Sequence, residues 1–314
     1  MNIVITGGSG FVGSYLCEKL INDGHEIIVV DNLLTGSTEN INHLMHNENF
    51  SFIEHDVQNH IEIENKVDYV LHFASAASPK AYTEHPVNTL KAGSVGTINT
   101  LGLAKKHDAE YLLASTSEVY GDPLISPQTE EYWGNVNPNG ERSMYDEAKR
   151  FAEAAVATYS RSYDLKTKIV RIFNTYGPRM QLNDGRVVTN FIVQALKNEN
   201  ITIYGDGSQT RSFSYVEDTV AGIISLMNSS EYDVFNIGNP NEMTVGQLAE
   251  KIIELTDSTS EIKYLELPND DPKQRKPDIT KAKTKLNWEP KVNLEDGLTK
   301  TIKSDQEKYD LAAS

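Results

Sequence analysis

The 314-residue chain is 39% hydrophobic and 24% charged and carries a formal net charge of −16. A surface of that sign repels a phosphate backbone or an anionic bilayer, which excludes nucleic acid and membrane as partners and leaves room only for local basic pockets. No run approaches the roughly 20 apolar residues of a membrane span, and residues 1–13 lack the basic and apolar regions of a leader, so the expectation is a cytoplasmic protein. Cys17 is the only cysteine and the eight histidines show no ligand spacing, which points to a metal-free mechanism.

The chain opens on a β-branched run at 3–5 that passes directly into Thr6-Gly7-Gly8-Ser9-Gly10-Phe11-Val12-Gly13 and a helical pattern over 11–22. Gly7 and Gly10 suit a tight turn that a pyrophosphate can approach, Gly13 lets the helix lie on the strand, and the helix start favours phosphate charge. A second run at 27–30 ends in Asp31, eighteen residues after Gly13. A carboxylate there accepts the adenosine ribose hydroxyls and repels a 2′-phosphate, which favours NAD over NADP. Asp56-Val57, after a third run at 50–53, suits an adenine contact. A fourth run follows at 69–73 and a helical pattern at 87–106.

A fifth run at 111–114 leads into Thr116-Ser117-Glu118, which puts two hydroxyls and a carboxylate where a buried strand opens into a loop, the usual edge of an α/β active site. Tyr145, twenty-seven residues after Glu118, starts a helical pattern over 145–163 with Lys149 one turn on and on the same face. An ammonium beside a phenol lowers its pKa, so the pair can take a proton from a substrate hydroxyl while hydride leaves for a nicotinamide. Tyr15 and Lys19 repeat the spacing, read as a chance pairing on a surface-facing turn.

A sixth run at 169–173 completes the alternation of short strands with helices. The fold class is therefore α/β, a Rossmann-type doubly wound parallel sheet covered on both faces, with its ligand at the carboxyl ends of the strands. Beyond 173 glycine and proline become frequent, and the recognisable patterns are helices at 189–197, 216–227 and 244–255 and a strand at 232–237. The expected organisation is a Rossmann domain over 1–175, to which the chain returns at about 212–238, and a smaller, irregular C-terminal substrate lobe over 176–211 and 239–314. Only the last ten residues or so are expected to fray.

These residues carry a resemblance. The glycine turn ending at Gly13, the Tyr145/Lys149 pair and Trp288-Glu289-Pro290 resemble the extended short-chain dehydrogenase/reductases. More closely, the chain is similar to the UDP-glucuronate decarboxylase (UDP-xylose synthase) family in 113–123 around Thr116-Ser117-Glu118, in 131–138, in Tyr145-Asp146-Glu147-Ala148-Lys149-Arg150, in 171–180, 183–188 and 207–211, and in Asp270-Asp271-Pro272-Lys273-Gln274-Arg275-Lys276-Pro277-Asp278.

The resemblance implies a redox-neutral cycle on a UDP-sugar. Tyr145, assisted by Lys149, deprotonates the C4 hydroxyl of the glucuronosyl unit while NAD+ takes the C4 hydride. The 4-keto group is then β to the C5 carboxylate, carbon dioxide leaves, and protonation at C5 with return of the hydride yields UDP-xylose. Thr116 and Ser117 are implied as sugar hydrogen-bonding groups, Arg275 as a substrate contact, and Glu118 as an acid/base or water-positioning group. Gly7, Gly10, Phe11, Val12, Gly13, Asp31, Asn32, Asp56, Val57, Phe73, Ser75, Tyr145, Lys149 and Thr175 are the implied NAD contacts. Arg186, Arg211 and Arg275 offer guanidiniums to a diphosphate and a carboxylate, with Lys91, Asn174 and Tyr204 beside them. A homodimer through 87–106 and 145–163 is implied as well.

Three positions depart from the family pattern: Ser37 in place of arginine, Ala76 in place of proline, and Ala92-Gly93 in place of Thr-Asn. Gly93 removes an amide from the helix near the sugar and so bears on the proton path. The rival readings are a UDP-glucuronate 4-epimerase, which keeps the β-keto acid intact, and a dTDP-glucose 4,6-dehydratase, which places an aspartate where Ser117 stands. UDP-galactose 4-epimerases lack a carboxylate at Glu118, and a non-catalytic NAD-binding protein has no use for Tyr145, Lys149, Glu118 and Arg275 together.

Overall fold

The runs at 3–5, 27–30, 69–71 and 111–114 are apolar at every position rather than at alternate ones, as strands covered on both faces require. The computed structural model describes residues 1–266 and 274–313. Asp270-Asp271-Pro272-Lys273 of the family-like segment therefore lies outside the described residues.

In chain order the elements are β1 (Asn2–Thr6), α1 (Phe11–Asn22), β2 (Glu26–Asp31), β3 (Phe50–Glu54), β4 (Tyr69–His72), α2 (Pro79–Glu84), α3 (Pro86–Lys91), a π-helical segment (Ala92–Gly96), α4 (Thr97–His107) and β5 (Glu110–Thr116). A 3-10 turn (Ser117–Tyr120) leads on to α5 (Ser143–Tyr163), β6 (Thr167–Ile172), β7 (Thr175–Tyr176), α6 (Val187–Leu196), β8 (Ile201–Tyr204), β9 (Thr210–Ser212), β10 (Ser214–Tyr215) and α7 (Val216–Asn228). The chain ends through β11 (Val234–Ile237), β12 (Glu242–Thr244), α8 (Val245–Thr256), β13 (Ile262–Leu265), β14 (Gln274–Arg275), α9 (Thr280–Leu286) and α10 (Leu294–Ala313).

Seven strands form one sheet in the order β11-β6-β5-β4-β1-β2-β3, every pairing parallel. The order reverses between β1 and β4, which opens a crevice at their carboxyl ends. Alternation along β1 sorts its side chains between two cores. Ile3 and Ile5 join Leu16 and Leu20 of α1 and Val220 and Ile223 of α7. Val4 faces the other way, with Leu101 of α4 and Val156 of α5. A one-residue slip would exchange the two faces, and at roughly 1.5–3 kcal/mol per buried aliphatic side chain the register is strongly held.

The first of these cores continues into the second half of the chain through Val188 and Phe191 of α6, Ile203 of β8, Leu248 of α8 and Leu298 of α10. The chain re-enters the sheet at β11, which pairs with β6 from Val234 to Ile237. What the sequence suggested as an irregular lobe contains small sheets of its own, β12-β9-β14 and β13-β8. α8 begins with a reciprocal capping box in which Thr244 and Gln247 satisfy each other's backbone amides.

Two expectations need correction. The helix expected over 87–106 is divided by the π-helical segment, where Thr97 Oγ1 donates to the Gly93 carbonyl at 2.8 Å and Ser94 Oγ donates to the Leu90 carbonyl at 2.7 Å. An unexpected helix, α10, runs to Ala313 through most of the stretch expected to fray, with Leu298 and Ile302 buried in its first half. Widely spaced apolar residues among many charges concealed that amphipathic helix. No described helix is long and apolar enough to cross a membrane.

Candidate active site

The crevice is a cavity of about 1210 Å³ whose lining runs from the glycine turn to β9 and β14. At one end, Gly7 has φ +74° and its carbonyl accepts from the Gly10 amide at 3.1 Å. A Cβ at Gly13 would stand 2.2 Å from that same carbonyl oxygen, so only glycine lets α1 start this close to β1. No side chain caps α1, and its first turn carries no acidic residue, which leaves amide donors for an anion at the cavity wall.

Asp31 ends β2 and is 7% exposed; its Oδ2 accepts from the Ser9 amide at 3.0 Å and its Oδ1 from the Leu33 amide at 2.9 Å. Burial raises its pKa, against the pull of those amides. Asn32 Nδ2 donates to Asp56 Oδ2 at 3.1 Å, which links the two acidic positions. Phe11, Val12, Val57, Phe73, Ser75 and Thr175 line the same stretch. A backbone cradle without room for a Cβ, free helix amides and a fixed carboxylate one strand away fit a dinucleotide.

Midway along the cavity stands Tyr145, in the first turn of α5, 5% exposed and stacked on Tyr82 with ring centroids 5.3 Å apart and planes at 14°. Burial pushes its phenol well above the ordinary value, while a hydrogen bond with Thr116 pulls it down. Lys149 Nζ lies 5.9 Å from the Tyr145 ring centroid and donates to the Ala114 carbonyl of β5 at 2.8 Å. Burial brings Lys149 down to about 8. Loss of solvent dominates both groups and outweighs the expected lowering of the phenol by its ammonium neighbour.

Glu118 sits in the turn that follows β5, where Thr116 Oγ1 accepts from its amide at 3.2 Å. Arg275 Nη1 donates to Glu118 Oε1 at 2.6 Å and to Ser117 Oγ at 2.9 Å, and its Nη2 donates to Glu118 Oε2 at 3.3 Å and to the Gly121 carbonyl at 3.1 Å. Arg142, the residue that caps α5, donates to Glu118 Oε2 from the other side. Burial alone would raise Glu118, but the two guanidiniums outweigh it and hold the carboxyl down at about 2. Glu118 is thus ionised and gripped before any substrate arrives. A proton-donating role has to begin from that state.

At the far end, Arg186 caps α6 and is fixed by Asp184, which accepts from its amide at 2.9 Å and from its Nε at 2.8 Å. Arg211 of β9, Tyr204 of β8 and Asn174 between β6 and β7 complete that wall. Lys91 does not join them: it is exposed on the last turn of α3 and is absent from the lining.

Arg142, Tyr82 and Asp184 went unrecognised in the sequence. Arg142 had one usable signal, a position three residues before Tyr145 on the lip of the same helix. Tyr82 had none, since an aromatic residue in a short helical stretch reads as core. Tyr15, read as surface-facing, is packed under Arg179, whose guanidinium carbon lies 4.3 Å from its ring centroid, and donates to the Pro178 carbonyl at 3.3 Å.

Gly93 has a steric explanation. A Cβ there would stand 2.7 Å from Ala148 Cβ, beside Lys149 on α5, so the departure at this position accompanies a close helix crossing.

Comparison with known proteins agrees with this geometry. The family described as GDP-mannose 4,6 dehydratase matches residues 4–301. UDP-glucuronic acid decarboxylase 1 of Xenopus tropicalis is 54% identical over 300 residues, covering 96% of this chain and 71% of that protein. Among solved structures, the UDP-glucose 4-epimerase of Thermotoga maritima with UDP-glucose superposes with a TM-score of 0.91 at 33% identity, over 98% of this chain and 100% of the other. The UDP-glucuronic acid 4-epimerase of Bacillus cereus, in complex with UDP-glucuronic acid and NAD, gives 0.87 at 26% identity over 98% and 100%.

Proposed function

Because the chain belongs to the UDP-glucuronic acid decarboxylases, within the NAD-dependent epimerase/dehydratase group of extended short-chain dehydrogenases, we propose that it converts UDP-glucuronate to UDP-xylose and carbon dioxide. The observation that carries this reading is the Glu118–Arg275–Arg142 cluster set next to Tyr145. A uronate is the sugar whose charge such a cluster would meet.

The glycine turn, Asp31 and the wall around Phe73 and Thr175 would hold NAD, which would supply the acceptor and donor of the C4 hydride. The chain's own groups do the rest. Tyr145 Oη, once ionised to the phenolate, takes the proton of the C4 hydroxyl, with Thr116 in hydrogen-bonding reach of it. Lys149 anchors α5 to β5 and supplies positive charge beneath that proton transfer. With a ketone at C4, the C5 carboxylate leaves as carbon dioxide and its bonding electrons pass into the enolate; a proton from solvent added at C5, the hydride returned to C4 and the proton returned to the C4 oxygen by Tyr145 complete xylose. Arg275 orients the carboxylate end through its hold on Ser117 and Glu118, while Arg186 and Arg211 bind the diphosphate and Asn174 and Tyr204 flank the nucleotide.

On this reading residues 1–175 with 212–238 hold the cofactor, 176–211 with 239–314 hold the nucleotide sugar, and the protein works in the cytoplasm as a homodimer. Support for the dimer comes from Val87, Leu90 and Val95 on the helical rod and Phe151 on α5, each at least 45% exposed. Incubation with UDP-glucuronate, with carbon dioxide and nucleotide sugar both measured, tests the activity. Carbon dioxide with UDP-xylose upholds it, and an isomer of unchanged mass means the 4-epimerase instead. Light scattering tests the dimer.

A further inference from the structure

Asp146 follows Tyr145 in the first turn of α5 and has no part in the mechanism above. Its backbone amide donates to the Arg142 carbonyl at 3.1 Å, and the four-residue spacing puts the Asp146 and Arg142 side chains on one face of the helix. The carboxyl is 7% exposed and its Oδ1 has no hydrogen-bond partner among the described residues. A buried, unpartnered carboxylate oxygen is costly as an anion and tolerable in a neutral acid.

Among the described residues, the charged groups that act most on Asp146 are Glu118 from the turn after β5, Arg142 and Glu147 from its own helix, and Arg275 from β14. Glu118 and Asp146 thus draw on the same two guanidiniums. Glu118 has both: Arg275 through two contacts and Arg142 through one. When two carboxyls share one set of cations, the less well bonded keeps its proton. Burial, and then the Glu118 charge, push Asp146 up to about 7, while Glu118 is held at about 2. A helix start ordinarily favours an ionised aspartate in its first turn. Here burial outweighs that preference.

We propose that Asp146 is a positioning residue of this site: as a neutral acid it leaves Arg142 on Glu118, and on ionising it draws Arg142 toward itself and slackens the grip on Glu118. The active form is the protonated one, so the effect is a loss of activity on the alkaline side. This rests on the decarboxylase reading for its kinetic test but not for its titration test.

Two measurements decide it. In protein carrying 13C-labelled aspartate, the Asp146 carboxyl signal, assigned by its absence from Asp146→Asn, is titrated without substrate; a midpoint near 7 upholds the proposal and one below 5 overturns it. The kcat of UDP-glucuronate decarboxylation is then followed from pH 5.5 to 9 in the wild type and in Asp146→Asn, which imitates the neutral acid. The wild type should lose about tenfold per pH unit above the midpoint, and the variant's alkaline limb should lie at least one unit higher. A variant whose kcat drops by one factor at every pH, with the wild-type profile unchanged in shape, overturns it. Wild-type protein that releases no carbon dioxide at any pH overturns the decarboxylase reading instead, and a carboxyl midpoint near 7 in that sample still upholds the neutral Asp146.

Discussion

The two ends of the cavity are built in opposite ways. The glycine turn is local: Gly7, Gly10 and Gly13 lie within one turn of chain, and the site is made of backbone amides and the absence of side chains. The Glu118 cluster is assembled from afar, with Ser117 and Glu118 after β5, Arg142 at the head of α5 and Arg275 on β14, and the site is made of charge. Shape carried by neighbouring residues is cheap to specify and intolerant of added volume. Charge gathered across more than 150 residues depends on the whole fold being in place.

Substitutions can break this contrast in graded fashion. The largest effect is expected for Tyr145→Phe, which keeps the stack on Tyr82 and removes the proton carrier; carbon dioxide release should fall about 10²–10⁴-fold with cofactor affinity retained. Arg275→Met strands Glu118 in a buried place and should cost about 3 kcal/mol in denaturant unfolding, because the side chain is 3% exposed and grips the carboxylate twice. Gly13→Ala forces a Cβ against the Gly7 carbonyl and should cost roughly 1–3 kcal/mol together with most of the NAD affinity, read by melting and by cofactor titration. Losing cofactor affinity without loss of stability would show the turn to be softer than its geometry implies.

Smaller effects sharpen the charged end. Arg142→Met should cost only about 1 kcal/mol, since that side chain is 24% exposed and solvent screens the pair, yet it should raise the Glu118 pKa measurably in a 13C-glutamate titration. Smallest is the acid response. Glu118 is depressed in the folded state, so its stabilising contribution is complete above its ordinary value of 4.5 and declines as pH falls toward about 2. The wild type's advantage in melting temperature over Glu118→Gln should shrink across that window. An advantage that stays constant with pH would mean that the cluster's charge is not what stabilises it.

The same contrast explains what could be read from sequence. The alternating strands and helices, the glycine turn and Asp31 were legible because each follows from a local pattern: an apolar run, a glycine spacing, an acid at a strand end. Tyr145 and Lys149 were legible as a spacing, but their protonation was not, because burial in a stack with Tyr82 and against Ala114 is a property of the assembled site. Arg142 escaped since its one local signal, a place three residues before Tyr145, does not tell an arginine that reaches Glu118 from one that reaches solvent. α10 escaped because its buried residues are thinly spread, and Lys91 misled because a cation near a site in sequence need not face it.

The π-helical segment at Ala92–Gly96 changes the phase of the helical rod. Each residue of a helix advances the rotation by about 100°, so one additional residue turns α4 relative to α3. Before the shift, α3 presents Val87 and Leu90 outward; after it, α4 turns Leu101 and Ala104 into the core beneath β4 while Val95, within the segment, stays exposed. Gly93 can then meet Ala148 at close range without forfeiting either orientation. An uninterrupted α-helix would have to give up one of the two, so the local defect reconciles an outer surface and a catalytic helix that keep different periods.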